Sequence, residues 1–532
     1  MKTQKLVCLT ATTFAVLAMS LQLSQAQPAA QHHHYKLIVI GTLPGHSIYN
    51  THVTSNHSVV TGYEQVLNNG GTLVGGADTP AVNTSGSCWN VQQPIDCYIQ
   101  HAFVWQNGQL TDLGTIPGGL GSFAYFISDN GLVTGASENG AIDPVANTPE
   151  THAVLWSNGQ LNDLGTLGGT QSVGAGVNDA GQVTGFAQNA IPDPFSIYGL
   201  GTQTRAFLWQ NGVMQDLNTL GGPDAFAQYL NNNGQVAGVS YTSYTPDPNT
   251  GSPPLHPFLW QNGTMKDLGN FGGTNDYLGP FIYGLNNRGE VTGTMALPGD
   301  QISHAFLWNG KQLIDLNAGG GLGGNYSGAS TLNDAGEVVG TASLPGDQIY
   351  HAFRWQNGVM TDLGTLHGDP CSTSESINSR GQVVGASQSV AGGCNFYTTA
   401  FLWENGGPMV DLNTLLSSPT TMLLTGATWI NDRGEITGGG VPTGCGDVDL
   451  CGRAFLLIPC DEHHPNIVGC DYSLVDAATA ATLSQQRIAA DPAAASQAQL
   501  SPVNPTARLR SLMLRHNRLF RARATAMASG PQ

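Results

Sequence analysis

The stretch HAFVWQNGQLTDLG, residues 101–114, decides the fold. Side chains alternate from His101 to Trp105, Asn107-Gly108 interrupts, and the run resumes from Leu110 to Gly114. Asn-Gly between alternating runs is the strongest short-range hairpin signal, because a two-residue type I′ turn needs φ > 0 at both central positions. With that turn, Trp105 opposes Leu110, Phe103 opposes Asp112 and His101 opposes Gly114. The stretch then recurs. HAVLW begins at His152, RAFLW at Arg205, HPFLW at His256, HAFLW at His304, HAFRW at His351, TAFLW at Thr399 and RAFLL at Arg453. Tryptophan closes the first seven copies at 105, 156, 209, 260, 308, 355 and 403. A period near 50 residues marks a repeat array, each unit being one supersecondary piece.

A second hairpin lies between successive copies. A run ending at Val177 is followed by Asn178-Asp179-Ala180-Gly181 and then Gln182-Val183-Thr184-Gly185. Such turns fall near 68–71, 128–131, 178–181, 231–234, 286–289, 333–336, 378–381 and 431–434. Each unit therefore reads as strands a, b, c and d of an antiparallel meander. Apolar or small residues occupy both faces of the strands, as expected when each sheet is sandwiched between neighbours. The expected class is all-β, a β-propeller of about eight four-stranded blades. A seven-bladed ring and an open solenoid are the alternatives. The eighth c–d hairpin is split, with strand c at Arg453–Ile458 and strand d at Lys36–Gly41. Pairing them would clasp the ring and remove two open edges. The hairpin register then sets Arg453 opposite Gly41, Phe455 opposite Val39 and Leu457 opposite Leu37.

The His-Ala-Phe tripeptide, the Asp-Leu-Gly and the Gly-Gln-Val-Val-Gly-type runs, over about 36–458, resemble the bacterial extracellular HAF-repeat family. That resemblance implies a secreted repeat protein and carries no catalytic residues to transfer. The copy at 453–457 lacks the Trp, and Arg205, Thr399 and Arg453 stand in place of His.

Composition agrees with an all-β reading. Of 532 residues 70 are Gly and only 10% are charged, against a usual ~25% charged. That excludes helical bundles, coiled coils and polybasic nucleic-acid binders. Residues 1–26 read as a signal peptide: Lys2 and Lys5, an apolar run from Leu6 to Leu21, then Ser24-Gln25-Ala26. The expected compartment is extracellular or periplasmic, with no transmembrane segment. An extension follows at 27–35, the propeller at 36–470 and an Ala/Arg-rich tail, partly helical or disordered, at 471–532. The eight cysteines beyond the signal are expected as disulfides between sequence neighbours, 88–97, 371–394, 445–451 and 460–470. The body at 27–470 carries 9 Lys and Arg against 33 Asp and Glu, which disfavours phosphate backbones. The tail carries 7 Arg and 3 Asp, and could dock on an acidic surface.

Candidate chemistry is sparse. His or Arg at the start of strand c faces an Asp of strand d in six hairpins: His101/Asp112, His152/Asp163, Arg205/Asp216, His256/Asp267, His304/Asp315 and His351/Asp362. Diagonal neighbours lie roughly 7–8 Å apart at Cα, which suits structural ion pairs. The interchange of His with Arg argues against metal ligation. The b–c loops vary most and hold Asp143, Asp193, Asp247, Asp300 and Asp347, the candidate ligand-binding residues. Extending the clasp outward brings Cys460 near His34, Asp461 near His33 and Glu462 near His32. His32, His33, His34, Asp461, Glu462, His463 and His464 would then converge in a site suited to Zn²⁺, Cu²⁺ or Ni²⁺. The leading functional expectation is a secreted binding or interaction module for a glycan or surface protein. An extracellular hydrolase or lyase using Asp/Glu pairs and a structural surface protein are the alternatives.

Overall fold

The computed structural model describes residues 31–41, 43, 65–82, 98–144, 148–197, 201–248, 251–274, 280–388, 394, 399–443 and 452–490. Residues 1–26, expected to be a signal peptide, residues 491–532 and Cys88, Cys97, Cys445 and Cys451 lie outside them.

Antiparallel sheets follow one another as eight blades around an axis. Blade 2 shows the plan: Ser122–Ile127, Val133–Ile142, Pro149–Ser157 and Gln160–Asp163 pair in chain order. Blades 3 to 7 repeat it. Blade 1 pairs Leu73–Val82, Tyr98–Gln106 and Gln109–Gly114, with a short inner edge where Leu67 bridges Leu73. Blade 8 pairs Met422–Ile430, Ile436–Pro442 and Arg453–Pro459 and is completed by Tyr35–Val39 from the N-terminal end. There Val39 faces Phe455 and Leu37 faces Leu457. Ile40 N donates to Ala454 O at 2.9 Å and Cys460 N to His34 O at 2.8 Å. The ring is clasped in the expected register.

The repeat motif builds the core. Phe103, Phe207, Phe258, Phe306, Phe353, Phe401 and Phe455 are among the largest fully buried side chains. Each stands at the same position of strand c, opposite a glycine of strand b, as Phe353 faces Gly340. The tryptophans pack between blades: Trp105 and Trp156 share one apolar cluster, and Trp156 Nε1 donates to Leu113 O of the preceding blade at 2.9 Å.

The inner strand carries a bulge opposite that glycine in blades 2 to 8, for example between Ala329 and Thr331 and between Ser374 and Ser376. A bulge leaves one residue unpaired and bends the strand. The bend carries the carbonyl of Gly328 over Gly340, where a Cβ would collide with it and lie 2.9 Å from the Phe353 ring.

The a–b turns do more than reverse the chain. Asn178 Oδ1 accepts from the backbone N–H of Ala180 and Gln182, and its Nδ2 reaches Asn231 O in the next blade at 3.1 Å. The same step runs from Asn231 to Asn286, Asn333, Asn378 and Asn431, and then across the seam from Asn431 to Asn68 O at 2.9 Å. Asn68 passes it to Ser128 O. Ser128, in the Asn position of blade 2, instead caps its own turn through Leu132 N.

One pairing differs from expectation. Trp105 faces Leu110 and Phe103 faces Asp112, but Gly114 faces Ala102, not His101. Leu113 is an extra residue at that point, and Gly114 takes φ 69°. The Ala102 N–H is met by Ser122 Oγ of the next blade at 2.9 Å, and that hydroxyl donates to Gly114 O at 2.6 Å.

Residues 471–490 pack on the propeller. Leu474–Asp476 pairs with Gln31–His33, and a helix, Ala477–Ala490, lies against blade 7. The outer strand of blade 7 is only Val410–Asp411. Ser484 Oγ donates to the Asp411 carboxylate, while Val475 and Ala480 enter the apolar cluster that holds Leu412 and Leu415. Disulfides join Cys371 to Cys394 and Cys460 to Cys470. No helix among the described residues is long and apolar enough to cross a membrane.

Candidate functional site

Strand direction puts the a–b and c–d turns on one face, and the b–c loops with the d–a connectors on the other. The b–c face is uneven. Strand b has 10 residues in blades 1, 2 and 3: Leu73–Val82, Val133–Ile142 and Val183–Pro192. It has 6 in blades 4 to 7. Four extra residues extend a strand by about 13 Å. In each long blade the ladder breaks and resumes at the tip, at Val82↔Tyr98, Ile142↔Pro149 and Pro192↔Thr202. The tips expose apolar side chains: Ile142 is 56% and Ile191 54% accessible, and Tyr244 of blade 4 is 60% accessible. Blades 1 to 3 thus form a raised, partly apolar lip, with Tyr244 of blade 4 beside it. A sequence signal was present in Ala141-Ile142-Asp143-Pro144 and Ala190-Ile191-Pro192-Asp193, where apolar residues precede the aspartate.

The loop aspartates face inward. Thr170 Oγ1, in the strand leading into blade 3, donates to Asp143. Asp300 accepts from Thr274 N and Oγ1, both at 2.7 Å. Asp347 accepts from Asn325 N at 2.7 Å, from Asn325 Nδ2 and from Ser343 Oγ. In these three blades the carboxylate ties the b–c loop to a d–a connector. Asp247 closes its own loop through backbone bonds with Ser252 and Gly251. Asp193 accepts from Phe195 N at 2.9 Å. Glu138, which the sequence did not single out, holds the connector N–H groups of Leu120 and Gly121.

Asp224 is the other residue the sequence left unmarked. It is fully buried and accepts from Ile197 N at 2.6 Å and Thr204 N at 2.8 Å. Burial, followed by the charge and hydrogen bond of Asp193, pushes its carboxyl up to about 8 against the N–H bonds that lower it. Its only trace in the sequence is position: in blade 3 the residue two after Gly-Gly is Gln171, whose Oε1 accepts from Thr151 N in the same way. Asp193 and Asp224 are a desolvated carboxyl pair, but both lie in the wall between blades, so they give no support to an acid–base active site.

The His/Arg–Asp pairs are clips at the blade edges. His101 Nδ1 lies 2.9 Å from Asp112 Oδ2, and Nε2 donates to Leu120 O at 3.0 Å. Arg205 does the same through Nε to Asp216 and Nη1 to Pro223 O, and His304 through Asp315 and Asn325 O. The three carbonyls follow the Gly-Gly of their connectors, so either side chain straps strand d and the connector together. His152/Asp163 and His351/Asp362 keep the carboxylate contact at 2.9 Å.

The expected pair at Asp267 is also present, with His256 Nδ1 2.9 Å from its carboxylate. Like Asp112, Asp267 also caps its own chain, where Oδ1 accepts from Gly269 N at 2.7 Å. The second nitrogen of His256 meets Asn270 Nδ2 at 2.9 Å, a side chain of the connector rather than its carbonyl.

The clip at His101 carries a pH dependence. Its hydrogen bond to Asp112 is the main cause that raises the His101 pKa above the ordinary value, against desolvation. Stabilisation from a raised group is complete below the unfolded pKa of ~6.5 and is lost as pH rises through the folded value. Asp112 is raised by burial but lowered more by His101 and the Gly114 N–H, so its contribution is lost as pH falls below ~4. His101→Gln should therefore cost up to about 1 kcal/mol at pH 6, an exposed-pair magnitude, and less at pH 9. Thermal unfolding of both proteins at the two pH values measures this; equal losses would remove the pairing.

The metal-site expectation is corrected. After Cys460 the chain turns back at the disulfide to Cys470 instead of extending the ladder, and Gln31–His33 pairs with Leu474–Asp476. The residues disperse. His32 Nδ1 meets Glu404 Oε1 in blade 7 at 2.8 Å, and His34 lies 3.8 Å from Asp471. His464 Nδ1 meets Asp461 at 2.7 Å, with Nε2 3.3 Å from Glu435. His463 and Glu462 are exposed. Among the described residues no three His, Cys, Asp or Glu side chains are grouped to hold a metal ion.

No protein-family model and no curated protein matches the chain. Solved structures similar to it include the β-propeller domain of the Trilobed protease from Pyrococcus furiosus, at 8% identity and a TM-score of 0.35, over 64% of this chain and 92% of that one. An oligogalacturonate lyase from Vibrio parahaemolyticus is similar at 7% identity and a TM-score of 0.34, over 82% and 99% of the two chains. The Pyrococcus horikoshii acylaminoacyl peptidase is similar at 8% identity and a TM-score of 0.37, over 73% of this chain and 58% of that one. These likenesses carry no argument about activity.

Proposed function

We propose that the chain is a secreted binding module of HAF-repeat type that engages an extracellular glycan or surface protein through the lip of blades 1 to 3 and the adjoining Tyr244. The observation that carries this reading is the uneven b–c face. Three consecutive blades extend their b–c hairpins, and the tips present Ile142, Ile191 and, beside them, Tyr244 to solvent. A purely structural ring has no use for three consecutive hairpins lengthened to present apolar tips. The rigid blades hold these loops in place, the usual arrangement for recognition. The disulfides at 371–394 and 460–470 support an oxidising compartment.

Ile142→Ser, Ile191→Ser and Tyr244→Ser combined should abolish capture of ligands on glycan and surface-protein arrays, with the melting temperature unchanged because the three side chains support no core. Arrays bound equally by wild type and triple variant would move the site elsewhere.

A further inference from the structure

We propose that His464 is a titratable bolt at the ring seam: its imidazolium joins Asp461, just past the last c strand, to Glu435 in the a–b turn of blade 8. Nδ1 lies 2.7 Å from Asp461 Oδ1 and Nε2 3.3 Å from Glu435 Oε1. His464 and Glu435 are each 3% accessible and Asp461 6%. The two carboxylates face different ring nitrogens, so they do not converge as metal ligands would. A neutral imidazole carries one N–H and one lone pair. Only the charged ring offers a donor to both acids. Once neutral, the ring turns a lone pair on one of them, and a buried acceptor left without its donor is costly.

Glu435 carries this contact to the first blade. Its Oε2 accepts from Asn431 Nδ2 at 2.6 Å, and the same amide group donates to Asn68 O of blade 1 at 2.9 Å. Gly71 of blade 1 comes so close that a Cβ there would lie 3.0 Å from Glu435 Oε1. One carboxylate and one amide thus link His464 to the far side of the seam.

The other blades show what this position demands. Gln182, Gln235 and Gln382 fill it in blades 3, 4 and 7, each accepting from the asparagine of its turn. Where the residue is glutamate, a cation accompanies it. Arg288 Nη2 lies 2.6 Å from Glu290 in blade 5, and Arg354 pairs with Glu337 in blade 6. Arg433 takes the place of Arg288 in blade 8 but stands 3.6 Å from Glu435, farther than His464 Nε2. Arginine never gives up its proton in this range; histidine does.

Asp461 and Glu435 are the charges that act on His464. Glu462 and His463 are exposed, and Tyr35 is kept neutral by burial and then by the charges of Glu404 and Asp461. Tyr472 meets the backbone carbonyl of His464, not its ring. Burial opposes charge on the ring, but the hydrogen bonds and charges of Glu435 and Asp461 outweigh it and raise the His464 pKa. The stabilisation is therefore complete below the unfolded value of ~6.5 and is lost as pH rises through the folded one.

The test uses the full chain without ligand. Imidazole ¹⁵N NMR should place the His464 midpoint above ~6.5 in wild type and lower in Glu435→Gln. That variant folds safely, since blades 3, 4 and 7 carry Gln at the same place. The His464 and Glu435 backbone amides are held by Asp461 Oδ1 and Asn431 Oδ1. Between about pH 6 and 9 they should lose about tenfold more protection, corrected for intrinsic exchange, than in Glu435→Gln, the low end for a hydrogen bond to a charged group. The melting temperature of wild type should exceed that of Glu435→Gln at the lower pH and lose this lead at the higher. A wild-type midpoint at or below ~6.5, or the same protection loss in Glu435→Gln, overturns the proposal.

Discussion

Gly340→Ala should destabilise the protein by about 3 kcal/mol or more, at the upper end of overpacking effects. A single methyl has this effect because there is nowhere for it to go. On one side lies the backbone carbonyl of Gly328, pushed inward by the bulge after Ala329; on the other lies the ring of Phe353 at 2.9 Å. Backbone cannot swing aside as a side-chain end can. The ring is among the most buried groups in the molecule. Gly293 and Gly385 are in the same position in blades 5 and 7, so their alanine variants should behave alike. Gly299→Ala is the control: its Cβ would meet nothing within 4 Å, although φ is 89°, so only the smaller backbone penalty remains. Urea denaturation of the set decides the matter, and a loss at Gly340 no larger than at Gly299 would sink the packing argument.

Ile38→Pro should open the ring. Among the described residues Tyr35–Val39 is the strand that closes blade 8 on its outer side, and Ile38 lies opposite Leu456. Bonds at Ile40–Ala454 and His34–Cys460 fix the parity of the ladder, so the Ile38 N–H points at the partner strand. Proline removes that donor and its ring clashes there, a cost of about 3 kcal/mol. Ile38 also packs against the cluster of Ala454 and Leu456. The expected outcome is earlier unfolding together with protease cleavage within 31–41. Lys36→Ala, a change on the same strand that keeps its N–H, should leave both close to wild type. Unaltered cleavage in Ile38→Pro would mean that the clasp does not hold the ring.

What the sequence disclosed and what it hid divide along physical lines. Hairpin turns are local, so the Asn-Gly turns such as Asn107-Gly108 and the Asn-x-x-Gly turns, with Ser128 in place of Asn in blade 2, announced the blades, and the period-2 register carried across more than 400 residues to place Phe455 opposite Val39. The bulge at Leu113 was hidden, because the Ser122 hydroxyl that stabilises it comes from the next blade. The same hairpin arithmetic placed Asp267 beside His256, where the structure pairs them. The loop aspartates looked like ligands because their partners, Thr274 and Asn325, are connectors distant in sequence. Asp224 was invisible for the same reason: only the fold buries it against Asp193. His32 and His464 were placed at the seam, but the reversal after Cys460 sent them to Glu404 and Glu435. Side-chain partners across blades are tertiary facts, and a single sequence does not show them.

The split blade also sets a clock on biosynthesis. Tyr35–Val39 is made early, yet its partner Arg453–Pro459 is made more than 400 residues later. At roughly 5–20 residues per second of synthesis, the first strand waits about 20–80 s with its edge unpaired. During that interval seven blades can form one upon another while the molecule remains an open arc with two exposed borders. The last c strand to appear finishes the circle, so any lesion that stalls the ribosome before residue 453 yields a stack of well-made blades with sticky ends.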